Sequence, residues 1–372
     1  MTMPRPTSPM KITFLLPPVN MSGGIRVITI HAKRLAERGH EVTLVSTPKP
    51  KTRKLHHIKA ALGLWPTPKS HLDGLGLDHR VLETARPIVD ADVPDADVVV
   101  ATWWETAEWA AKLSPRKGRK VYFVQGYEIF HKAGADRCRA TYRMPFKKIV
   151  VARWLARVMA EEYGDPDSTI VHNSVDHAQF HAPVRGKQLR PTVGFLYSDA
   201  EVKGVDVAIR AIDMLRERIP GLRVVSFGSS QPESGADKLG EFHFDPPQHT
   251  LKDLYAACDV WIAASRSEGF NLTAMEAMAC RTPVVSTKTG WPEEAITDGI
   301  NGALVEIDDA QGLADHAQAI LSLPDERWRA MSQAAFDTVR DSSWERCADQ
   351  FESALEDAVR QHHGSSAAVP RG

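Results

Sequence analysis

Val260 to Ala264 is an unbroken apolar run, followed by a Ser/Gly turn, Ser265 to Gly269, and a helix-forming segment, Leu272 to Cys280. Pro283 ends that helix, and a second apolar run begins at Val284. Apolar runs of this kind read as strands covered on both faces, and the helix between them makes them parallel neighbours. A parallel-sheet protein places its ligand outside the carboxyl ends of its strands. Glu268 falls in the turn, and Glu276 lies about one helical turn past Leu272 on the same face. The amides of Phe270, Asn271 and Leu272 point out of the helix start, where an anion is favoured, and Thr273 shares that turn. One short stretch therefore offers two carboxylates for hydroxyl groups and a set of N–H groups for phosphate.

The same alternation runs along the rest of the chain. Lys11 to Leu16 reads as a strand, Ile25 to Arg38 as a helix and Glu41 to Ser46 as a second strand. Gly23 and Gly24 precede the helix, where backbone can approach a bound group closely. The loop is not GxGxxG, and no acidic residue closes the second strand, so no dinucleotide fingerprint is present. Further strands are expected at Asp95 to Ala101 and Val121 to Val124, the latter followed by Gln125-Gly126-Tyr127-Glu128. Lys147 to Tyr163 reads as a strand and then a helix. Val184 to Pro191 is basic, contains Gly and Pro, and has the character of a linker. A second series comes after it: strand Thr192 to Tyr197, Lys203-Gly204 opening a helix to Arg218, strand Leu222 to Phe227 ending at Gly228, and helix Leu251 to Ala257. The fold class expected is α/β, with two doubly wound Rossmann-like domains facing each other across a cleft that holds the ligand. The division reads 1–183, a linker at 184–191, 192–342, a final helix at 343–361, and a disordered tail at 362–372.

At 372 residues the chain accommodates two domains, and 43% hydrophobic with 25% charged residues is the balance of a soluble globular protein. The N-terminus lacks a signal-peptide apolar region, and the four cysteines are widely spaced without a CxxC pair. Both features fit a reducing cytoplasm. Charge is distributed unevenly: residues 1–180 hold 27 Lys and Arg against 18 Asp and Glu, and the remainder 19 against 29. The basic half either faces an anionic surface, giving peripheral contact with the inner face of a membrane, or is one of two unequal solvated surfaces. Lys49 to Trp65, basic and then apolar, is either a membrane-surface helix or a solvated loop and helix. Asp90-Ala91-Asp92 and Asp95-Ala96-Asp97 look like DxD metal motifs, but their place before a strand makes them turn and strand-cap residues.

Glutamate, seven residues, glutamate is a spacing many helices show by chance. Its surroundings here are specific: Ser265, then Gly269-Phe270 after Glu268, Glu276 to Cys280, and Thr282-Pro283-Val284-Val285. Together they resemble the signature of the retaining glycosyltransferases of family 4, which have the GT-B fold. The likeness covers residues 10–360 and is most specific from Val193 to Trp344. It implies transfer of a sugar from a nucleotide-diphosphate sugar to an acceptor hydroxyl, with no cofactor, no metal and no nucleic acid. It also implies that the last helix crosses back onto the first domain. By the same resemblance Lys203 meets the donor diphosphate, Glu276 grips the ribose hydroxyls and Glu268 faces the donor sugar. Gly23, Gly24, Gly228, Arg266, Phe270, Asn271, Leu272 and Thr273 complete the donor side, and 242–248 lines the base pocket. Gln125, Tyr127 and Glu128 resemble an acceptor-side motif of members that build surface polysaccharides. The family's arginine is missing, with Phe195 following Gly194, and Tyr197, Ser198 and Arg266 are the candidates to replace it. Two rival readings share the fold: a nucleotide-sugar epimerase or phosphorylase, and a non-catalytic sugar-nucleotide-binding subunit.

Overall fold

The structure, a computed structural model, describes residues 8–49, 70–129, 134–232 and 236–366. All but the first residue of the 49–65 segment, and the tail beyond 366, lie outside them. The chain forms two compact units, residues 1–172 with 345–372, and residues 173–344.

The first unit runs β1 (Lys11–Leu16), α1 (Gly23–Glu37), β2 (Glu41–Ser46), β3 (Asp78–Val81), β4 (Val98–Ala101) and α2 (Trp104–Lys112). It continues with β5 (Arg119–Val124), α3 (Ala135–Tyr142), β6 (Lys147–Val150), α4 (Arg153–Tyr163) and β7 (Thr169–Ile170). Its strands form a parallel sheet of order β3-β2-β1-β4-β5-β6-β7. β4 is buried at all four positions, the mark of a strand covered on both faces. The two aspartate triplets do serve as local ties. Asp90 accepts the Ser114 amide, Asp92 pairs with Arg86, Asp95 with Arg116, and Asp97 accepts the Lys11 amide at the start of β1.

The second unit runs β8 (Thr192–Leu196), α5 (Val205–Arg218), β9 (Arg223–Gly228), β10 (Glu241–Phe244), α6 (Leu251–Ala256) and β11 (Val260–Ala263). Then come α7 (Leu272–Ala279), β12 (Val284–Thr287), α8 (Pro292–Ala295), β13 (Gly302–Val305), α9 (Ala310–Ser322) and α10 (Asp325–Val339). The sheet order is β10-β9-β8-β11-β12-β13, all parallel, with its connections reversing direction between β8 and β11. α5 buries Val207, Ala208, Ala211, Ile212 and Leu215, a helical stripe that packs with Phe195, Ile262 and Val285 in one core.

The division between units falls at His172 and Asn173, ahead of the 184–191 segment expected to be a linker. That segment is fastened to the second unit. The buried carboxylate of Asp259 accepts the amides of Gln188 and Thr192 at 2.7 and 2.9 Å, Asp325 accepts that of Lys187, and the Arg185 guanidinium lies 4.6 Å over the Trp328 ring. Proline, glycine and positive charge marked irregular backbone but not what it binds.

The last helix, α11 (Trp344–Ser366), runs past the expected end at 361 and, from Glu345, belongs to the first unit. Phe351 is fully buried, stacked on His31 at 4.4 Å and edge-on to Phe123 at 5.0 Å. Burial, with Arg34 and Arg38 nearby, drives the His31 pKa down to about 3, so its ring is neutral. A polar seam runs beside this contact: Arg38 pairs with Asp349 at 2.7 Å and Glu352 at 2.5 Å, and His40 meets Glu352 at 2.8 Å. Burial raises the Glu352 pKa, but the bonds from Arg38 and His40 outweigh it and hold the carboxyl below its ordinary value of 4.5. Its stabilising contribution is therefore present above that value and is lost as pH falls through the folded-state pKa. We predict that Glu352→Gln lowers stability at pH 7 by roughly 1.5–3 kcal/mol, the worth of a charged hydrogen bond, and that the deficit shrinks below about pH 4.5. Urea unfolding followed by tryptophan fluorescence at both pH values checks this; an unchanged midpoint at pH 7 would contradict it.

Candidate functional site

The loops leaving β8 and β11 diverge at the point where the second sheet's connections reverse direction, the place where such sheets bind ligands. A short 3-10 turn, Glu201–Lys203, follows β8 and ends at Gly204, whose φ of 60° is left-handed. A Cβ there would stand 2.0 Å from the Ala264 carbonyl oxygen. The start of α5 can thus press against the end of β11 only because residue 204 is glycine. This contact brings Lys203 to the loop after β11, where its Nζ lies 2.7 Å from Glu268 Oε1. Ser265 donates its hydroxyl to the same oxygen at 2.8 Å. The Glu268 side chain is 11% exposed and that of Lys203 31%, so the pair remains open on the lysine side.

The loop is braced from the other flank. Gly290, at φ 66°, packs so closely that a Cβ would lie 2.9 Å from Glu268 Cβ and 2.8 Å from the Phe270 oxygen. The Trp291 amide donates to that oxygen at 2.8 Å, and the Phe270 and Trp291 rings stack at 5.6 Å. Asn271, left-handed at φ 74°, caps α7: its Oδ1 accepts from the Ala274 amide at 3.3 Å and the Thr273 hydroxyl at 2.9 Å. Its Nδ2 is buried without a hydrogen-bond partner. The helix begins at Leu272, so the unsatisfied end of α7 faces this loop. A small pocket there is lined by Phe195, Lys203, Ser265, Glu268, Asn271 and Thr273.

Glu276 is 4% exposed, and one of its carboxylate oxygens accepts the Tyr255 hydroxyl at 2.8 Å. Tyr255 carries no local sequence signal as a site residue, since it reaches Glu276 from a different helix. Gly228 closes β9 beneath the Tyr197 carbonyl, and Tyr197 meets Phe242 edge-on at 5.5 Å. Phe244, in the 242–248 segment, is 48% exposed.

Arg266 departs from expectation. Its guanidinium makes two bonds to Asp206, at 2.9 and 2.8 Å, one to Asp308 at 2.6 Å and one to the Glu201 carbonyl. The Asp206 bonds, reinforced by Asp308, raise its pKa further. Two carboxylates thus occupy the donors that a phosphate would need. Ser198 spends its hydroxyl oxygen on the Ala200 amide, and Phe195 lies in the core at 1% exposure.

In the first unit, Gly23 opens α1, and the Gln125 side chain closes on Gly24, where a Cβ would stand 3.6 Å from Nε2. Tyr127 and Glu128 do not join them. The Tyr127 hydroxyl bonds to Glu162 and, at 2.8 Å, to the Tyr163 hydroxyl. Glu128 turns inward, is 5% exposed, and accepts the Trp104 amide at 3.3 Å at the start of α2. The expected acceptor-side trio is therefore split, because Glu128 caps a helix and Tyr127 ties its loop to α4. Burial pushes the Glu128 carboxyl well above its usual range, against a smaller lowering by the Trp104 amide.

Residues 21–179 match the family described as Glycosyltransferase Family 4, and residues 190–323 the family described as Glycosyl transferases group 1. Among curated proteins, the D-inositol 3-phosphate glycosyltransferase of Corynebacterium aurimucosum is 36% identical over 182 residues, 45% of this chain and 43% of that protein. The enzyme of that name from Mycolicibacterium smegmatis is 32% identical over 188 residues, 46% of this chain and 42% of that protein. The chain thus spans less than half the length of these curated relatives. Among solved structures, Anabaena HepE in complex with UDP-glucose superposes with a TM-score of 0.71 at 17% identity, over 94% of this chain and 100% of that one. Sucrose-phosphate synthase from Thermosynechococcus elongatus gives 0.69 at 16% identity, over 95% and 99%. At such identities the likeness is one of fold, and the fold is GT-B.

A buried acid with a raised pKa contributes stability that is present in full below the unfolded-state value of 4.5 and is lost as pH rises toward and through the folded value. We predict that Glu128→Gln, which keeps an oxygen for the Trp104 amide, has stability close to wild type near pH 4.5 and exceeds it increasingly at higher pH. Urea midpoints at pH 5 and pH 8 check the sign; a variant less stable than wild type at pH 8 would show that Glu128 is held as a carboxylate.

Proposed function

Since the chain belongs to glycosyltransferase family 4, we propose that it transfers a sugar from a nucleotide-diphosphate sugar to an acceptor hydroxyl with retention of anomeric configuration. The observation that carries this reading is Lys203 Nζ held 2.7 Å from Glu268 at the point where the second sheet's connections reverse. When the bond from the anomeric carbon breaks, negative charge grows on the leaving diphosphate. Stabilising it takes cations and oriented N–H groups, and Lys203 with the start of α7 supplies both. Lys203 turns from Glu268 to the diphosphate when the donor binds, and Glu268 is left to face the sugar. Glu276, held by Tyr255, accepts the ribose hydroxyls. In the first unit Gly23 and Gly24 lie on the donor side, and Gln125, whose side chain closes on Gly24, is the acceptor-side residue.

A nucleoside diphosphate bound this way does not call for a divalent ion, because a lysine and helix amides take the role of one. Turnover is expected to survive excess EDTA; abolition with rescue by Mg²⁺ or Mn²⁺ would refute this. The protein acts at the cytoplasmic face, its basic first half lying against anionic lipid, in surface polysaccharide or glycolipid synthesis. A second reading of the acceptor, a soluble phosphorylated polyol, is favoured by the names of the curated relatives. Assaying a lipid-linked glycan and inositol phosphate side by side decides between them.

The three side chains carry separable roles. Glu276→Ala should weaken binding of the nucleoside diphosphate alone. A lost charged hydrogen bond is worth roughly 1.5–3 kcal/mol, a rise in Kd on the order of tenfold to a hundredfold. Glu268→Ala should leave that affinity nearly unchanged and lower turnover of the intact donor by a larger factor. Lys203→Ala should do both. Calorimetry with a panel of nucleoside diphosphates, alongside turnover, tests this division; equal affinity losses in the two glutamate variants would refute it.

A further inference from the structure

The first unit has a cleft of about 350 Å³ lined by none of the residues to which the proposed glycosyl transfer is assigned. It opens where β5 and β6 begin, with Arg119 and Lys147 as their first residues, at the strand ends opposite those from which Gln125 extends. Arg119, Arg143, Lys147 and Tyr163 line it together with the 164–167 turn. Lys148, on the same wall, is cancelled by Asp165 at 2.5 Å. The other cations are not. Arg119 is half-buried, its Nε is enclosed without a hydrogen-bond partner, and no carboxylate pairs with it among the described residues. The Arg143 guanidinium lies 5.0 Å over the Tyr163 ring, and its Nη1 has one long bond, 3.4 Å, to a carbonyl. Lys147 donates to the Asp167 carbonyl at 2.7 Å and keeps further N–H groups.

A half-buried guanidinium without a counter-charge is unfavourable unless an anion joins it. Two arginine forks and an ammonium on one concave wall match a tetrahedral dianion, since guanidinium binds phosphate through paired N–H groups and lysine acts as a point charge. We propose that this cleft binds a phosphate group, carried by a phosphomonoester, through Arg119, Arg143 and Lys147. Its occupant would press on a network that reaches the Gln125 loop. The Tyr163 hydroxyl contacts that of Tyr127 at 2.8 Å. Tyr142, 5.1 Å from Tyr163, donates to the Gly126 carbonyl and accepts the Glu128 amide, both at 3.1 Å. The site is independent of the donor reading, which rests on the second unit.

The same chemistry is offered by a free phosphate and by a phosphatidate headgroup, so the test has two arms. The full chain is titrated calorimetrically with inorganic phosphate at constant ionic strength and floated with phosphatidylcholine vesicles with and without phosphatidate. Wild type, Arg119→Gln/Arg143→Gln, Arg143→Gln alone and Lys203→Ala are compared. Saturable phosphate binding that weakens about tenfold or more in the double variant and is unchanged in Lys203→Ala is expected. Binding to phosphatidate vesicles only, with the same dependence on the arginines, supports the site with a lipid as source. Binding indifferent to both arginines, binding lost in Lys203→Ala, or none in either arm overturns the proposal. Arg143 is exposed, so its single variant keeps the test decisive if the double variant does not fold.

Discussion

No side chain can stand at residue 204. Its backbone is left-handed, and the space a Cβ would occupy belongs to the Ala264 carbonyl, 2.0 Å away. The contact sets how close α5 comes to the end of β11, and so where Lys203 falls. It is seconded by the Arg266 amide, which donates to the Val202 carbonyl at 2.8 Å, and by Gly290, which closes on the loop from β12. The Lys203–Glu268 pair therefore results from backbone packing. An exposed ion pair alone is worth about 0–1 kcal/mol, too little to position two loops that arrive from different strands.

The same packing decides which cations remain available. Arg266 stands beside Asp206 and Asp308 and is taken by them, whereas Lys203 meets one carboxylate shared with a hydroxyl. Phe195, where the resemblance leads one to expect an arginine, supplies a buried apolar ring and no charge. In the first unit Arg38 is engaged by three acidic residues of α11, while Arg119 has no acidic partner among the described residues. The positive surplus of the first half thus consists of cations with very different partners, which net charge does not distinguish.

Local pattern made the elements legible. The apolar runs at 260–264 and from 284, the Pro and Gly stops, and Lys203-Gly204 gave the strands, helices and turns around the candidate site, because each is a matter of a few neighbouring residues. What stayed hidden depends on partners far along the chain. Arg266 finds Asp206, Glu276 finds Tyr255 from another helix, and Glu128 caps a helix that begins at Trp104. A glutamate two residues from a glycine in a loop looks solvent-facing until the sheet order puts α2 behind it. The 184–191 segment was misleading for the same reason: its composition says irregular, but its attachment rests on Asp259 and Asp325.

On the reading proposed for the second unit, the resting pair also shapes the chemistry once the donor has bound. Moving Lys203 from Glu268 to a diphosphate exchanges one anionic partner for another of higher charge, so no bare ammonium is created. The carboxylate is not stranded either. It keeps the Ser265 hydroxyl at 2.8 Å, on a loop whose backbone is held by Gly290 and by the Thr287 hydroxyl bonded to the Ser265 carbonyl. A carboxylate positioned by a neutral donor and a rigid loop keeps its direction once the lysine has left. Glu268 is then aimed by the protein and neutralised by nothing, the condition under which it interacts most strongly with positive charge developing at a sugar carbon.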